Sequence, residues 1–160
     1  MTILDTIYAI KFVHMIAIAV MFGAWLTIAL FMLFARRSRN TSVVAVTVLF
    51  AVRAEFMLML PAVVVTPVAG YLLAEAIGAH LDEYWTELSS AIYAAVALVW
   101  LANLFIERRI RKITQEAAVN GKPLPDSYRR LFRVWCMIAL AGLSGMIAIM
   151  ALMIWQPHWY

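Results

Sequence analysis

Long apolar stretches separated by short charged segments dominate this sequence. Charged residues are absent from four windows of 24, 19, 19 and 27 residues. An α-helix rises about 1.5 Å per residue, so about 20 residues cross a hydrocarbon core of about 30 Å. The apolar runs are continuous rather than alternating, which excludes membrane β-barrel strands. The pattern predicts one all-α membrane domain over 1–160, a four-helix transmembrane bundle with spans at about 6–35, 43–77, 87–107 and 129–156 and a cytoplasmic loop at 108–128.

The first two predicted spans are longer than a bilayer requires. A helix over 6–35 extends about 45 Å, and the apolar stretch 40–52 adds 13 uncharged residues before Arg53. We expect these ends to project into the cytoplasm, where the segment 107–133 covers them. Pro61 and Pro67 lie inside the second span, where each removes a backbone donor and favours a kink.

Composition places the chain in the membrane class. Hydrophobic residues make up 66% of the chain and charged residues 14%, against about 45–50% and about 25% in an average soluble domain. This composition excludes a soluble globular enzyme and a disordered chain. The single cysteine, Cys136, excludes an intramolecular disulfide.

The few charges predict the orientation. Arginine and lysine are concentrated between spans one and two and between spans three and four, whereas the segment between spans two and three carries four acidic residues and no basic one. The positive-inside rule places the two basic segments in the cytoplasm. Both termini then lie on the outer, periplasmic side of a bacterial cytoplasmic (inner) membrane. The basic segments therefore indicate topology and contact with the lipid bilayer, and we expect no nucleic-acid partner.

His14 is the one histidine inside a predicted span. An ionisable group in a span is a functional candidate, and a neutral imidazole is a good ligand for haem iron. Met21 and Trp25 continue its helix face inward. The alternative is a histidine that is hydrogen-bonded to a neighbouring helix. Lys11, one turn outward, either contacts a haem propionate or quinone headgroup or extends to the membrane surface.

Arg53 and Glu55 are the close opposite charges inside an apolar run. Two residues apart on a helix, their side chains point in different directions. We expect Glu55 to find a partner elsewhere, such as an arginine of the basic loop. The pair either anchors the span at the interface or forms a proton or quinone site on the cytoplasmic side.

The remaining histidines, His80 and His158, fall in the outer segment and near the C-terminus. With the outer carboxylates they permit a weak metal site. No short ligand spacing supports that site.

Several motifs resemble a bacterial integral-membrane family, domain of unknown function 2269. The matching motifs, in chain order, are Lys11-Phe12-Val13-His14 with Gly23, Phe31-Met32-Leu33, Arg36-Arg37-Ser38, Pro61-Ala62-Val63-Val64-Val65-Thr66-Pro67-Val68-Ala69-Gly70, Leu124-Pro125, Tyr128, Arg130-Leu131-Phe132 and Trp135. The resemblance covers nearly the whole chain and implies a four-span architecture without naming an activity.

The pattern Lys11-x-x-His14, with a glycine about ten residues later, also resembles the first span of HemJ-type protoporphyrinogen oxidases, which are haem-associated membrane bundles. That resemblance implies a haem b site at His14. The sequence as a whole favours a small haem- or quinone-linked redox protein. The alternatives are a non-catalytic subunit or assembly partner of a membrane complex, self-associating or not, and a small-molecule transporter. Enzymatic activity is left open.

Overall fold

The computed structural model describes residues 3–78 and 83–155, and the described part is helical apart from short connections. Four of its helices are long and apolar enough to cross a membrane, as the sequence predicts. The second is built from three consecutive elements. The elements are α1 (Ile3–Arg37), α2 (Thr41–Ala54), a π segment (Glu55–Met59), α3 (Leu60–Ala76), α4 (Tyr84–Val119) and α5 (Asp126–Trp155).

Helix α1 is central to the packing, since it contacts α2, α3 and α5, while α4 contacts α2 and α5. Its buried face repeats every three or four residues, the spacing of one side of an α-helix. That face comprises His14, Ala17, Met21, Trp25, Ile28, Met32 and Ala35. The predicted stripe from His14 through Met21 and Trp25 therefore points into the bundle.

The second long helix begins at a capped turn and changes its hydrogen-bond register midway. Asn40 accepts bonds from the backbone N–H groups of Ser42 and Val43, at 2.9 and 3.2 Å, which is the usual action of an N-cap asparagine. In the π segment the N–H of Leu60 bonds to the carbonyl of Glu55, five residues earlier. Pro61 follows directly and has no N–H to donate. The disturbance that the sequence predicts at Pro61 takes the form of a wider backbone turn just before the proline, closed by a hydrogen bond over five residues.

The stretch predicted as a loop at 108–128 is mostly helical. Helix α4 continues to Val119 and α5 starts at Asp126, so only 120–125 connect them. Helix α4 ends where Gly121 adopts a φ of 60°, and the N–H of Lys122 bonds to the carbonyl of Ala117 at 2.9 Å. This is the Schellman arrangement, in which glycine tolerates the left-handed position. The prediction of a loop over 108–128 was wrong. The exposed face of a helix outside the lipid carries charged residues just as a loop does, so composition does not distinguish the two.

Two apolar clusters fill the bundle. The first lies at the basic end, and the helical extension of α4 and the start of α5 cover α2 and the end of α1 there, as expected for the segment 107–133. Its buried members are Ile28, Met32, Ala35, Val44, Val48, Ala51, Ile110, Tyr128, Phe132, Trp135 and Ala139. The second, further toward the other end, comprises Met21, Trp25, Met59, Ala62, Val96, Trp100, Leu104 and Met146.

Glycines on α5 let the helices approach closely. A Cβ on Gly142 would lie 2.2 Å from the Trp25 ring, and one on Gly145 would lie 2.5 Å from a methyl of Val96. Such distances leave no room for a side chain, so these two positions determine how near α1 and α4 come to α5.

Candidate functional site

Seven polar side chains are buried in the described bundle: His14, Glu55, Thr66, Ser89, Asn103, Glu107 and Thr114. Ionisable groups inside a membrane bundle are expensive and commonly functional. The two glutamates and the histidine are therefore the groups that require explanation.

Glu55 lies at the junction between α2 and the π segment and is 3% exposed. Its Oε2 accepts a hydrogen bond from the indole N–H of Trp100 in α4. The partner is therefore a tryptophan of the third long helix and not the arginine that the sequence suggested. An indole is a neutral donor, so this contact satisfies one oxygen without balancing the charge.

Glu107 is completely buried on α4. Its Oε1 accepts from the indole N–H of Trp135 in α5 at 2.8 Å, while its Oε2 is buried without a hydrogen-bond partner among the described residues. The two carboxyl groups are close enough for Glu55 to act electrostatically on Glu107. Each glutamate thus accepts a hydrogen bond from a tryptophan of another helix, and the charge of Glu55 acts on Glu107.

Asn103 lies one turn before Glu107 on the same face of α4, because residues four apart are neighbours on a helix. It is buried, and its Oδ1 has no hydrogen-bond partner within 3–78 and 83–155. We call Glu55, Asn103 and Glu107 the carboxyl cluster. Two of its acceptor oxygens, one on Asn103 and one on Glu107, are available to a donor or a cation.

No lysine or arginine of the described part forms an ion pair with either glutamate of the cluster. Arg53 is exposed, with its guanidinium 6.0 Å from the centre of the Phe50 ring. The expectation that Arg53 and Glu55 point in different directions is confirmed. The cluster therefore holds two carboxyl groups and no permanent cation.

Glu55 is a site residue predicted from the sequence, whereas Glu107 was predicted only as the last residue of the third span. One signal could have identified it. Trp100, Asn103, Leu104 and Glu107 fall at helical spacing, and the series continues through Ile110 and Thr114. That periodicity predicts a helix whose buried face carries a glutamate.

His14 forms a separate site between α1 and α3. It is 7% exposed, and its Nδ1 lies 2.9 Å from the backbone carbonyl oxygen of Thr66. Because a carbonyl can only accept, Nδ1 carries the proton in this contact and Nε2 keeps a lone pair in the neutral ring. The imidazole lies against Gly70, where an added Cβ would come within 2.9 Å of Cε1.

The other candidate site residues of the outer side add no ligand to this site among the described residues. Lys11 is exposed on α1, and His80 and His158 lie outside the described residues. Within the described ranges, no three His, Cys, Asp or Glu side chains gather in a group that could hold a metal ion.

Four long apolar helices enclosing buried carboxyl and imidazole groups define an integral membrane protein. The chain belongs to the family described as "Predicted integral membrane protein (DUF2269)", whose model matches residues 8–157. This confirms the family resemblance of the motifs. Searches of curated proteins and of solved structures found no match. The likeness of the first span to HemJ-type proteins stays a prediction.

Proposed function

We propose that this chain is a proton-handling protein of the bacterial cytoplasmic membrane, with the carboxyl cluster as its proton-binding site. The observation that carries the proposal is the buried, unpartnered Oε2 of Glu107 beside Glu55, with no cation paired to either group in the described bundle. A proton is the smallest cation that neutralises one carboxylate of such a pair and so removes the repulsion between the two.

The physical argument concerns the cost of isolated charge. Moving an unpaired carboxylate into an apolar interior is strongly unfavourable, and a second one nearby adds repulsion. Apolar side chains at these positions would avoid both the cost of burying a charge and the repulsion between two charges. Stability alone therefore does not explain the pair. Trp100 and Trp135 each supply one hydrogen bond. These bonds hold the carboxyl groups in place while a proton is gained or lost.

The cluster sits toward the basic end of the bundle, which the positive-inside rule assigns to the cytoplasm. Arg53 lies on the surface, two residues before Glu55.

A quinone takes up protons when it is reduced, and a transporter can exchange a proton for its substrate. A proton-binding group of this kind would serve either the quinone-linked or the transporter hypothesis.

The test is proton flux into vesicles containing the purified full chain. Vesicles loaded with a pH-sensitive dye are given a potassium diffusion potential, and acidification or alkalinisation of the lumen is followed by fluorescence. We expect flux above that of empty vesicles, and a large loss in both Glu55→Gln and Glu107→Gln. Glu116→Gln is the matched control, because it removes an exposed carboxylate from the same helix.

Two results would contradict the proposal. Flux unchanged in both cluster variants would show that protons pass elsewhere. Absence of flux in the unmodified protein would instead favour the non-catalytic subunit or assembly partner.

A haem b protein is the second candidate, favoured by the hydrogen bond from His14 Nδ1 to the Thr66 carbonyl. Iron-ligating histidines usually donate their other ring N–H in this way, which fixes the tautomer and the ring orientation. His14 would hold the iron through Nε2, and the haem would supply electron transfer. A Soret band in the purified protein that His14→Ala abolishes would support this role. A colourless preparation of the intact bundle would contradict it.

A further inference from the structure

A shallow, open depression with cationic side chains lies on the surface of α4, just beyond the buried Glu107. Its lining residues are Arg108, Arg111, Lys112, Gln115 and Glu116. They recur at intervals of three and four, so they form one continuous strip of the helix surface. Three cations face a single carboxylate, which gives the strip a net positive charge. We call this strip the α4 groove.

The groove begins where the apolar surface of α4 ends. Leu98, Leu101 and Phe105 are exposed large apolar side chains, and Arg108 follows directly. In a membrane protein, exposed apolar side chains face acyl chains, and the first arginines beyond them lie at headgroup depth. The α4 groove thus adjoins a surface suited to acyl chains.

Arg108 is oriented by aromatic rings on two elements. Its guanidinium carbon lies 5.5 Å from the centre of the Phe56 ring in the π segment and 6.0 Å from that of Phe105. Stacking of this kind uses the face of the guanidinium and leaves the in-plane N–H donors for an anion. Phe56 and Phe105 are both exposed, so the arginine lies on the boundary between rings and charge.

The cations of the groove form no ion pair with a carboxylate of the described helices. The ion pair recorded for a described arginine joins Arg129 to Asp126, in α5. Arg108, Arg111 and Lys112 form no such pair within residues 3–78 and 83–155. The strip therefore offers several unpaired donors to one anion.

We infer that the α4 groove binds the phosphate headgroup of an anionic phospholipid, such as phosphatidylglycerol. Arg108 and Arg111 offer the forked donors that suit phosphate oxygens, and Lys112 adds a point charge. The adjoining apolar surface at Leu101 and Phe105 favours a lipid over a free phosphate, because only a lipid has acyl chains that can contact this surface. This inference is independent of the proposed proton function.

The test is native mass spectrometry of the detergent-solubilised full chain, titrated with short-chain phosphatidylglycerol or phosphatidylcholine. We expect retention of phosphatidylglycerol in preference to phosphatidylcholine. Each direct hydrogen bond from a basic side chain to the phosphate contributes about 1 kcal/mol, which is about fivefold in affinity. The double variant Arg111→Gln/Lys112→Gln removes two such donors and should therefore bind phosphatidylglycerol about 25-fold more weakly.

The matched control is Lys122→Gln/Arg130→Gln. It removes the same charge from exposed positions outside the groove. The preference for phosphatidylglycerol over phosphatidylcholine should stay within about twofold, because exposed surface charges contribute little to a specific contact. An equal loss in both double variants would overturn the site, because attraction would then be diffuse. Equal retention of the two lipids by the unmodified protein would overturn it as well. Full displacement of phosphatidylglycerol by inorganic phosphate would assign the groove to a free anion instead.

Discussion

The indole N–H of Trp135 donates a hydrogen bond to the carboxyl group of Glu107 across 2.8 Å, and both side chains are fully buried. The bond joins α5 to α4 within the described bundle. Trp100 makes the equivalent contact with Glu55, joining α4 to the start of the π segment. Two neutral donors therefore tie the second, third and fourth long helices together through the carboxyl cluster.

Replacement of Trp135 by phenylalanine should destabilise the bundle. Phenylalanine keeps an aromatic ring but is smaller than the indole, and Glu107 loses its donor and is left with no hydrogen-bond partner on either oxygen among the described residues. Such a loss costs about 1–3 kcal/mol. The measurement is thermal unfolding in detergent, with Trp155→Phe as control because Trp155 is 78% exposed. Equal melting temperatures for the two variants would show that the bond contributes nothing to stability.

Gly70→Ala should disturb the packing of His14. The new methyl group would lie 2.9 Å from Cε1 of the imidazole, and relieving such overpacking typically costs about 1–3 kcal/mol. Removal of the imidazole makes room for the methyl group. We therefore expect the double variant Gly70→Ala/His14→Ala to be more stable than the sum of its single variants predicts.

Thermal unfolding of all four proteins in this cycle gives the coupling between the two positions. Gly23→Ala is the control, since an added Cβ at Gly23 meets no atom within 4 Å. Alanine is the better helix former, so this change should be neutral or slightly stabilising. Strict additivity of Gly70→Ala and His14→Ala would refute the contact.

Gly142→Ala should be more damaging than Gly70→Ala. Its Cβ would lie 2.2 Å from two atoms at the edge of the Trp25 indole, a distance that forces the ring or the helix to move. These atoms belong to the outer, six-membered ring of the indole. The side chain of phenylalanine is shorter and does not extend that far. Trp25→Phe should therefore recover part of the lost melting temperature in the Gly142→Ala background. A double variant less stable than Gly142→Ala alone would contradict this account.

The orientation of the bundle can be tested with single cysteines, because Cys136 is the one native cysteine. In a Cys136→Ser background, Lys122→Cys at the basic end should react with a membrane-impermeant maleimide only in permeabilised cells. Tyr84→Cys at the other end should react in intact cells, since Tyr84 is exposed. The reverse pattern would place the carboxyl cluster near the outer surface and overturn the predicted topology.

The sequence predicts the long helices of this protein well because lipid imposes a simple rule. A span must be long, continuous and apolar, and each window free of charge satisfies that rule without reference to any other. The same logic fails for the stretch 108–128. There the chain leaves the apolar region, charge no longer distinguishes a helix face from a loop, and α4 continues to Val119.

The carboxyl cluster was only half predictable. Glu55 is conspicuous because apolar residues surround it in sequence, whereas Glu107 precedes a run of arginines and looks like part of a polar segment. Its burial depends on Trp135, 28 residues later and on another helix. A long-range contact of this kind has no local pattern. The π segment is similar, since Pro61 signals a perturbation but not the register that the backbone adopts.

The π segment lets the second long helix take up a one-residue difference in chain length at one place. A turn closed from Leu60 to Glu55 contains one residue more than an α turn, so it accommodates what amounts to a single-residue insertion. Deleting one residue from 56–58 would let the chain form an uninterrupted α-helix, which is locally the more regular structure. The turns on either side would keep their relative orientation, because the wide turn already absorbs the extra residue. A relative one residue shorter here would therefore still direct Glu55 into the bundle, whereas a deletion in an ordinary turn of α2 or α3 would rotate the two parts by about 100°.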